Sequence, residues 1–372
     1  MRGHPYDGYM ALRRTLLPIA TVLHRWLLVL AIFTVWALPL MVHAQTPVLR
    51  VLAWPGYAEP EVVEAFEKAT GTKVHVTTVD SDEVLWQKIN GSRGTAFDLF
   101  AVNTAELQRY IDAGLVQPLN AGRIPRIQSQ QPQFRDPARI AGLQRPDGQG
   151  AMQVYGVPFT FSSMGLIYDK RQIQSPPTSV TALWDTAYRG KVLVYNGGTH
   201  NFSLAAQRLG MASPFRLPEE QWPAAVETLI ALRRNALALY TQPDEATRLF
   251  MRHGAALMFG NYGLQQVQQL RAAGADVGYA IVKEGSLAWL DCWVITTGAR
   301  DVELAHQWIN HLLGPEASEL LVKRQGLQNT LSAAQESDEP LRWLEPVEDA
   351  ARREALWSRI RSGDRASKVL AK

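Results

Sequence analysis

Between Val48 and Gly114 the chain switches three times from a short apolar, β-branched run to a run with helical spacing, and this alternation limits the fold more than any other feature. "VLRVLAW" reads as a buried strand, and "EPEVVEAFEKATG" as a helix carrying Val62, Val63 and Phe66 on one side with Gly71 as its stop. "KVHVTTV" is the next strand, and Asp80 and Glu83 in "DSDEVLWQKIN" have the spacing of a capping box for the helix that follows. "FDLFAV" and "NTAELQRYIDAG" complete the series, with Asn103 and Thr104 at the turn into the third helix. Such alternation predicts an α/β fold whose parallel sheet is covered on both faces. A polar connection, 120–150, precedes a second series: strands near "VYGVPF", "GKVLVYN", "AALMFG" and "DVGYAIV", with helices near 203–209, 219–234 and 264–273.

The N-terminus belongs to a different regime. Arg13, Arg14 and Arg25 precede the charge-free "WLLVLAIFTVWALPLMVHA", whose Val42-His43-Ala44 exit has the small-x-small pattern of a signal-peptidase site. We read residues 1–44 as a cleaved export signal, with Met10 as a second candidate start and Gln45 as the first residue of a soluble, monomeric periplasmic protein; a retained membrane anchor is the competing reading. N-terminal sequencing of envelope-fraction protein distinguishes the two, since an anchor would retain 26–40. Removing 1–44 takes away four basic residues and Asp7, leaving 34 of each sign, so the net charge of +3 belongs to the signal and no nucleic-acid face is implied. Cys292 is the single cysteine, which excludes an intrachain disulfide. About 330 residues remain, more than one core usually holds, so two lobes are expected.

No nucleotide loop, GxSxG or HExxH is present, and the histidines lack metal-ligand spacing, so neither enzyme chemistry, cofactor nor metal is expected. Trp86, Trp184, Trp222 and Trp308 occupy apolar helix positions and read as core, and Cys292 as a small packed hydrophobe. One acid stands apart. In "SLAWLDCWVI", strand alternation puts Trp289, Asp291 and Trp293 on one face and Leu290, Cys292 and Val294 on the other. A carboxylate among indoles needs a partner. That partner is a ligand cation, a nearby Lys or Arg, or backbone N–H groups.

Taken in order, "VLAWPGYAEPEVVEAFEKATGTKVHVTTVDSDEVLWQKINGSRGTAFDLFAV", "YGVPFTFSSMGLIYDK", "LWDTAYRGKVLV", "GAALMFGNYG", "KEGSLAWLDCWVI" and "AHQWINHLLGPEASELLV" resemble the periplasmic spermidine/putrescine-binding proteins of ABC importers across nearly the whole mature chain. The resemblance implies a two-lobed periplasmic-binding-protein fold of type II with a ligand in the interlobe cleft, one lobe formed by 45–158 with 292–335 and the other by 159–291 with 336–372. It implies a solute-binding component that delivers a polyamine or other small cationic amine to an ABC permease; the alternative is the same fold with a zwitterionic or anionic solute. Trp54 and Tyr57 match the family's aromatic pair, Asn103 and Thr104 its cleft-lining turn, Phe259 a cleft tryptophan, Tyr262 a position acidic in some relatives, and Trp289 with Asp291 the aromatic-x-Asp that grips an amine. Where relatives carry acids, this chain reads "YNGGTHNF". With Asp291 as the single visible acid, and with Thr199, His200 and the N–H groups of the glycines facing the cleft, the expected ligand has one positive nitrogen and a distant oxygen-rich group. A plain tight turn is the other reading of the Asn-Gly-Gly sequence.

Overall fold

The computed structural model describes residues 46–331 and 341–371, so the signal read over 1–44 and the start at Gln45 lie outside the described residues. The first series forms as expected: β1 (Val48–Ala53), α1 (Pro60–Thr70), β2 (Lys73–Thr78), α2 (Asp82–Gly91), β3 (Leu99–Asn103) and α3 (Thr104–Asp112). Gly71 ends α1 in the left-handed region, φ 69°. The start of α2 differs from expectation. Ser81, not Asp80, is the N-cap, accepting from the Val84 N–H at 3.3 Å, and this turns Asp82 into the first helical residue.

The polar connection holds a short helix α4 (Pro132–Arg135) and a hairpin, β4 (Gln144–Pro146) with β5 (Met152–Val154). The chain continues through β6 (Val157–Met164), β7 (Leu166–Asp169), β8 (Val192–Tyr195), α5 (Gly198–Arg208), α6 (Trp222–Asn235), β9 (Ala236–Tyr240), α7 (Pro243–His253), β10 (Leu257–Phe259), α8 (Leu264–Ala272), β11 (Val277–Ala280) and β12 (Ser286–Ile295). It closes with α9 (Val302–Leu312), α10 (Pro315–Gln325), β13 (Gln328–Asn329), β14 (Leu341–Trp343), α11 (Ala350–Arg361) and α12 (Ala366–Val369).

Two sheets core two lobes. The first runs β13-β6-β12-β3-β1-β2, with β14 beside β12, and the second runs β11-β7-β10-β8-β9. The strands fed by helical crossovers are parallel, β1 with β2 and β3, and β8 with β9 and β10; the short β14 also lies parallel to β12. β12 runs antiparallel to β3 and β6, and β7 antiparallel to β10 and β11, because the chain changes lobe there and returns. It passes from β6 to β7 at Gly165 and back between Ala280 and Ser286. The boundaries expected at 158/159 and 291/292 fall inside β6 and β12, both hydrogen-bonded within the first sheet.

Trp222 and Trp308 are fully buried, as their positions predicted, whereas Trp86 and Trp184 are half-buried against the core. Cys292 is buried, its thiol directed to the Val102 carbonyl. The last segment packs on the second lobe: α11 lies against α5 and α6, and its Arg353, fully buried, donates to the Thr199 and Pro214 carbonyls and the Ser203 hydroxyl while pairing with Glu348 at 2.8 Å.

Candidate functional site

Strands of both sheets end at a common cleft, the place where open α/β sheets hold ligands. A cavity there, with about 490 Å³ of empty space including its mouth, is lined from the first lobe by Trp54, Pro55, Tyr57, Asp82, Asn103, Trp289 and Asp291 and from the second by Tyr195, His200, Asn261, Tyr262 and Gln265.

Asp291 sits where β12 is flanked on both sides, opposite Asn103 of β3 and Thr160 of β6. It is 6 % exposed, and its carboxylate accepts the Tyr57 hydroxyl at 2.5 Å. Burial pushes the carboxyl up to about 7; the Tyr57 hydrogen bond works against this and the Asp82 charge adds to it. Among the described residues no cationic side chain faces it. The expected alternation along β12 holds, since Trp289 and Trp293 pack into one core and Cys292 and Val294 into another. Only Trp289 reaches the cavity, anchored by its indole N–H to the Asn261 carbonyl at 3.0 Å, while Trp293 is wholly enclosed against Phe159 and Trp308.

Tyr57 is delivered by the turn after β1, closed by Tyr57 N–H to the Trp54 carbonyl at 3.2 Å. Gly56 makes this turn possible: it has φ 87°, and a Cβ there would stand 2.3 Å from the Gln325 side chain.

Asp82 is a second acid in the cavity, which the sequence reading missed by placing the cap one residue too early. Enclosure raises its carboxyl to about 6; Arg109 lowers it, and Glu354 and Glu83 raise it. Arg109 is already committed, paired with Glu106 at 2.9 Å, donating to the Asp82 carbonyl and lying over Trp86. Asn103 caps α3 through Oδ1, which accepts the Glu106 N–H, and its amide reaches the Asp82 carboxylate at 3.3 Å.

On the opposite wall, Tyr195 stacks on His200, with ring centroids 5.7 Å apart, and meets Tyr262 edge-on. His200 Nδ1 is 2.8 Å from Asn261 Oδ1, and burial holds its pKa below the ordinary value, which keeps the ring neutral near pH 7. The Tyr262 hydroxyl donates to the Thr241 carbonyl at 2.6 Å.

The cavity therefore gathers Trp54, Tyr57, Asn103, His200, Tyr262, Trp289 and Asp291 from the expected set. Three expected residues lie elsewhere. Phe259 is 1 % exposed in β10, hemmed between β7 and β8. Thr104 lines a separate groove with Leu290, which alternation places on the far face of β12 from Asp291. Thr199 lines an outer chamber that opens beside Asp82 and His200, together with Glu83, Glu354 and Arg361. The glycines of "NGGTHN" serve a close approach: Gly198 N–H donates to the Glu354 carboxylate at 2.8 Å, and a Cβ on Gly198 would stand 2.7 Å from the Arg353 carbonyl. The N-terminus of α5 thus takes the chain's own carboxylate where a ligand anion was expected. Besides Asp82, sequence reading missed Pro55, Tyr195, Asn261 and Gln265; Tyr195, ending a strand just before a glycine turn, had a usable signal.

The family model for bacterial extracellular solute-binding proteins matches residues 61–346. The putrescine-binding periplasmic protein PotF of Escherichia coli is 25% identical over 288 residues, covering 73% of this chain and 75% of that protein. The putrescine/agmatine-binding protein of Pseudomonas aeruginosa is 26% identical over 357 residues, 86% of this chain and 93% of that one. In fold, the chain is similar to the Tp0655 (TpPotD) lipoprotein of Treponema pallidum, with TM-score 0.71 and 17% identity over 85% of this chain and 99% of that one. A glucopine complex of the binding protein MotA from Agrobacterium tumefaciens gives TM-score 0.65 at 15% identity, over 85% and 100%. With the model match spanning most of its length, the chain belongs to the bacterial extracellular solute-binding proteins, which are binding subunits of ABC transporters and not enzymes.

Proposed function

We propose that this chain is the periplasmic receptor of an ABC importer for a small organic dication of the polyamine class, exported by its N-terminal signal and handing its ligand to a permease. The observation that carries this reading is the pair of carboxyls, Asp291 and Asp82, lining one aromatic cavity, with no cationic side chain facing Asp291 among the described residues and with Arg109, beside Asp82, already paired. An ammonium at each carboxylate relieves the desolvation that raises both pKa values, and the rings of Trp54, Tyr57, Tyr195, Tyr262 and Trp289 offer faces to cationic nitrogens and methylene groups between them. Putrescine/agmatine-binding and putrescine-binding relatives support the same class. The second acid revises the expectation of a single positive nitrogen, and the Glu354 carboxylate takes the Gly198 N–H that was expected to face a ligand anion.

Calorimetry with putrescine, agmatine, spermidine, butylamine and γ-aminobutyrate tests this. The diamines and agmatine are expected to bind at least tenfold more tightly than butylamine or γ-aminobutyrate, and Asp82→Asn to remove that margin. A monoamine or zwitterion that outcompetes every dication overturns the reading.

A further inference from the structure

The lobes are also joined, away from the crossing strands, by a set of side-chain hydrogen bonds. α8 belongs to the second lobe, packed on α7 and β11, and α10 to the first, packed on β13 and α9. The Gln268 amide donates to the carbonyls of Lys323 at 2.8 Å and Arg324 at 3.0 Å, in the last turn of α10. One turn earlier on α8, the Gln265 amide donates to Gln325 Oε1 at 2.8 Å, and the Gln325 amide donates to Glu59 at 2.6 Å.

The last carbonyls of a helix have no partner within it. Gly326, at φ 65°, satisfies the Val322 carbonyl through its own N–H, and those of Lys323 and Arg324 are completed by a side chain of the other lobe. A bare glycine lets that side chain in, since a Cβ at Gly326 would stand 2.5 Å from Gln268 Oε1. The contact also reaches the cavity: Gln265 lines it, and Gln325 backs Gly56 in the turn that presents Trp54 and Tyr57.

We propose that Gln265 and Gln268 form an interlobe latch, made only when the cleft is shut, which retains ligand by slowing reopening. Gln268 touches no cavity wall, so it acts on release and leaves ligand choice to the cavity. The inference rests on the cleft being the binding site, but the latch itself is readable without ligand.

The test compares Gln268→Glu with Gln268→Lys. Glutamate keeps the shape, removes the donor and sets a negative charge against the negative end of α10; lysine restores a donor with the favourable sign. Two hydrogen bonds of ordinary net strength predict a release rate raised roughly tenfold in Gln268→Glu, measured by stopped-flow with putrescine. Association rate and the order of preference among amines stay unchanged, and Gln268→Lys releases at the wild-type rate or slower. Small-angle scattering of the ligand-free proteins is expected to show Gln268→Glu more expanded than wild type and Gln268→Lys no more expanded, a readout that stands even if putrescine is not the ligand. Equal release rates and equal scattering for the two variants overturn the latch. So does a loss confined to association, or one matched in both variants by a lowered unfolding midpoint.

Discussion

Asp291 is expected to act with opposite signs on stability and, under the proposed function, on ligand binding. Its carboxyl has an ordinary value of 3.8 when unfolded and about 7 in the folded, empty site, so between those values the folded state holds a proton that the unfolded state has lost. The contribution of this group is therefore greatest at low pH, declines as pH rises through that window, and is lowest above about 7. Asn does not titrate. Ligand-free Asp291→Asn is expected to be more stable than wild type at pH 8 by about 4 kcal/mol in urea denaturation, the gap closing toward pH 4. The same change is expected to weaken amine binding by roughly 2 to 5 kcal/mol in calorimetry. A variant that is less stable at pH 8, or that binds as wild type, contradicts the role given to this acid. Asp291 was legible because strand alternation and two flanking indoles isolate it within ten residues of sequence. Asp82 was not, because "DSDE" offers three acids and a serine within one helical turn, and a cap displaced by one residue decides which of them faces the cleft.

At the scale of elements, the strand and helix alternation was readable and its sheet order was not. Periodicity reports that β6 and β12 are buried, but their antiparallel placement beside β3 depends on where the chain changes lobe, which is set by contacts distant in sequence. The same limit hid the role of α11. Its Arg353 and Glu354 hold the first turn of α5, where His200 enters the cavity, across more than 150 residues of sequence. Gly198→Ala is accordingly expected to destabilise the second lobe, since the added methyl meets the Arg353 carbonyl at 2.7 Å. Arg353→Met removes one side of a buried ion pair and leaves Glu348 uncompensated, with an expected loss of about 3 kcal/mol in denaturant unfolding. Wild-type stability in both variants would mean that α11 is a passive appendage.

Under the proposed function, cleft closure, ligand charge and proton release form one linked equilibrium across the whole molecule. Burial raises the carboxyls of Asp291 and Asp82, to about 7 and about 6, and the proposed dication is favoured between them only when both are ionised. Below about pH 6 the ligand must displace protons from the two sites; near 7 it displaces a fraction of one, mostly from Asp291; above 8 it displaces none. Affinity for putrescine is therefore expected to rise steeply from pH 5.5 to 7.5 and to level off until the amine itself deprotonates near 10. Calorimetry in two buffers of different ionisation heat measures the protons released at each pH, and Asp291→Asn should remove the component centred near 7. Because Trp54 and Trp289 line the same cavity, indole emission should change with ligand along the same pH curve, in step with the compaction seen by scattering as the lobes shut. If affinity is flat across this range and no protons are released, the two acids are ionised before the ligand arrives, and some other group neutralises the cleft.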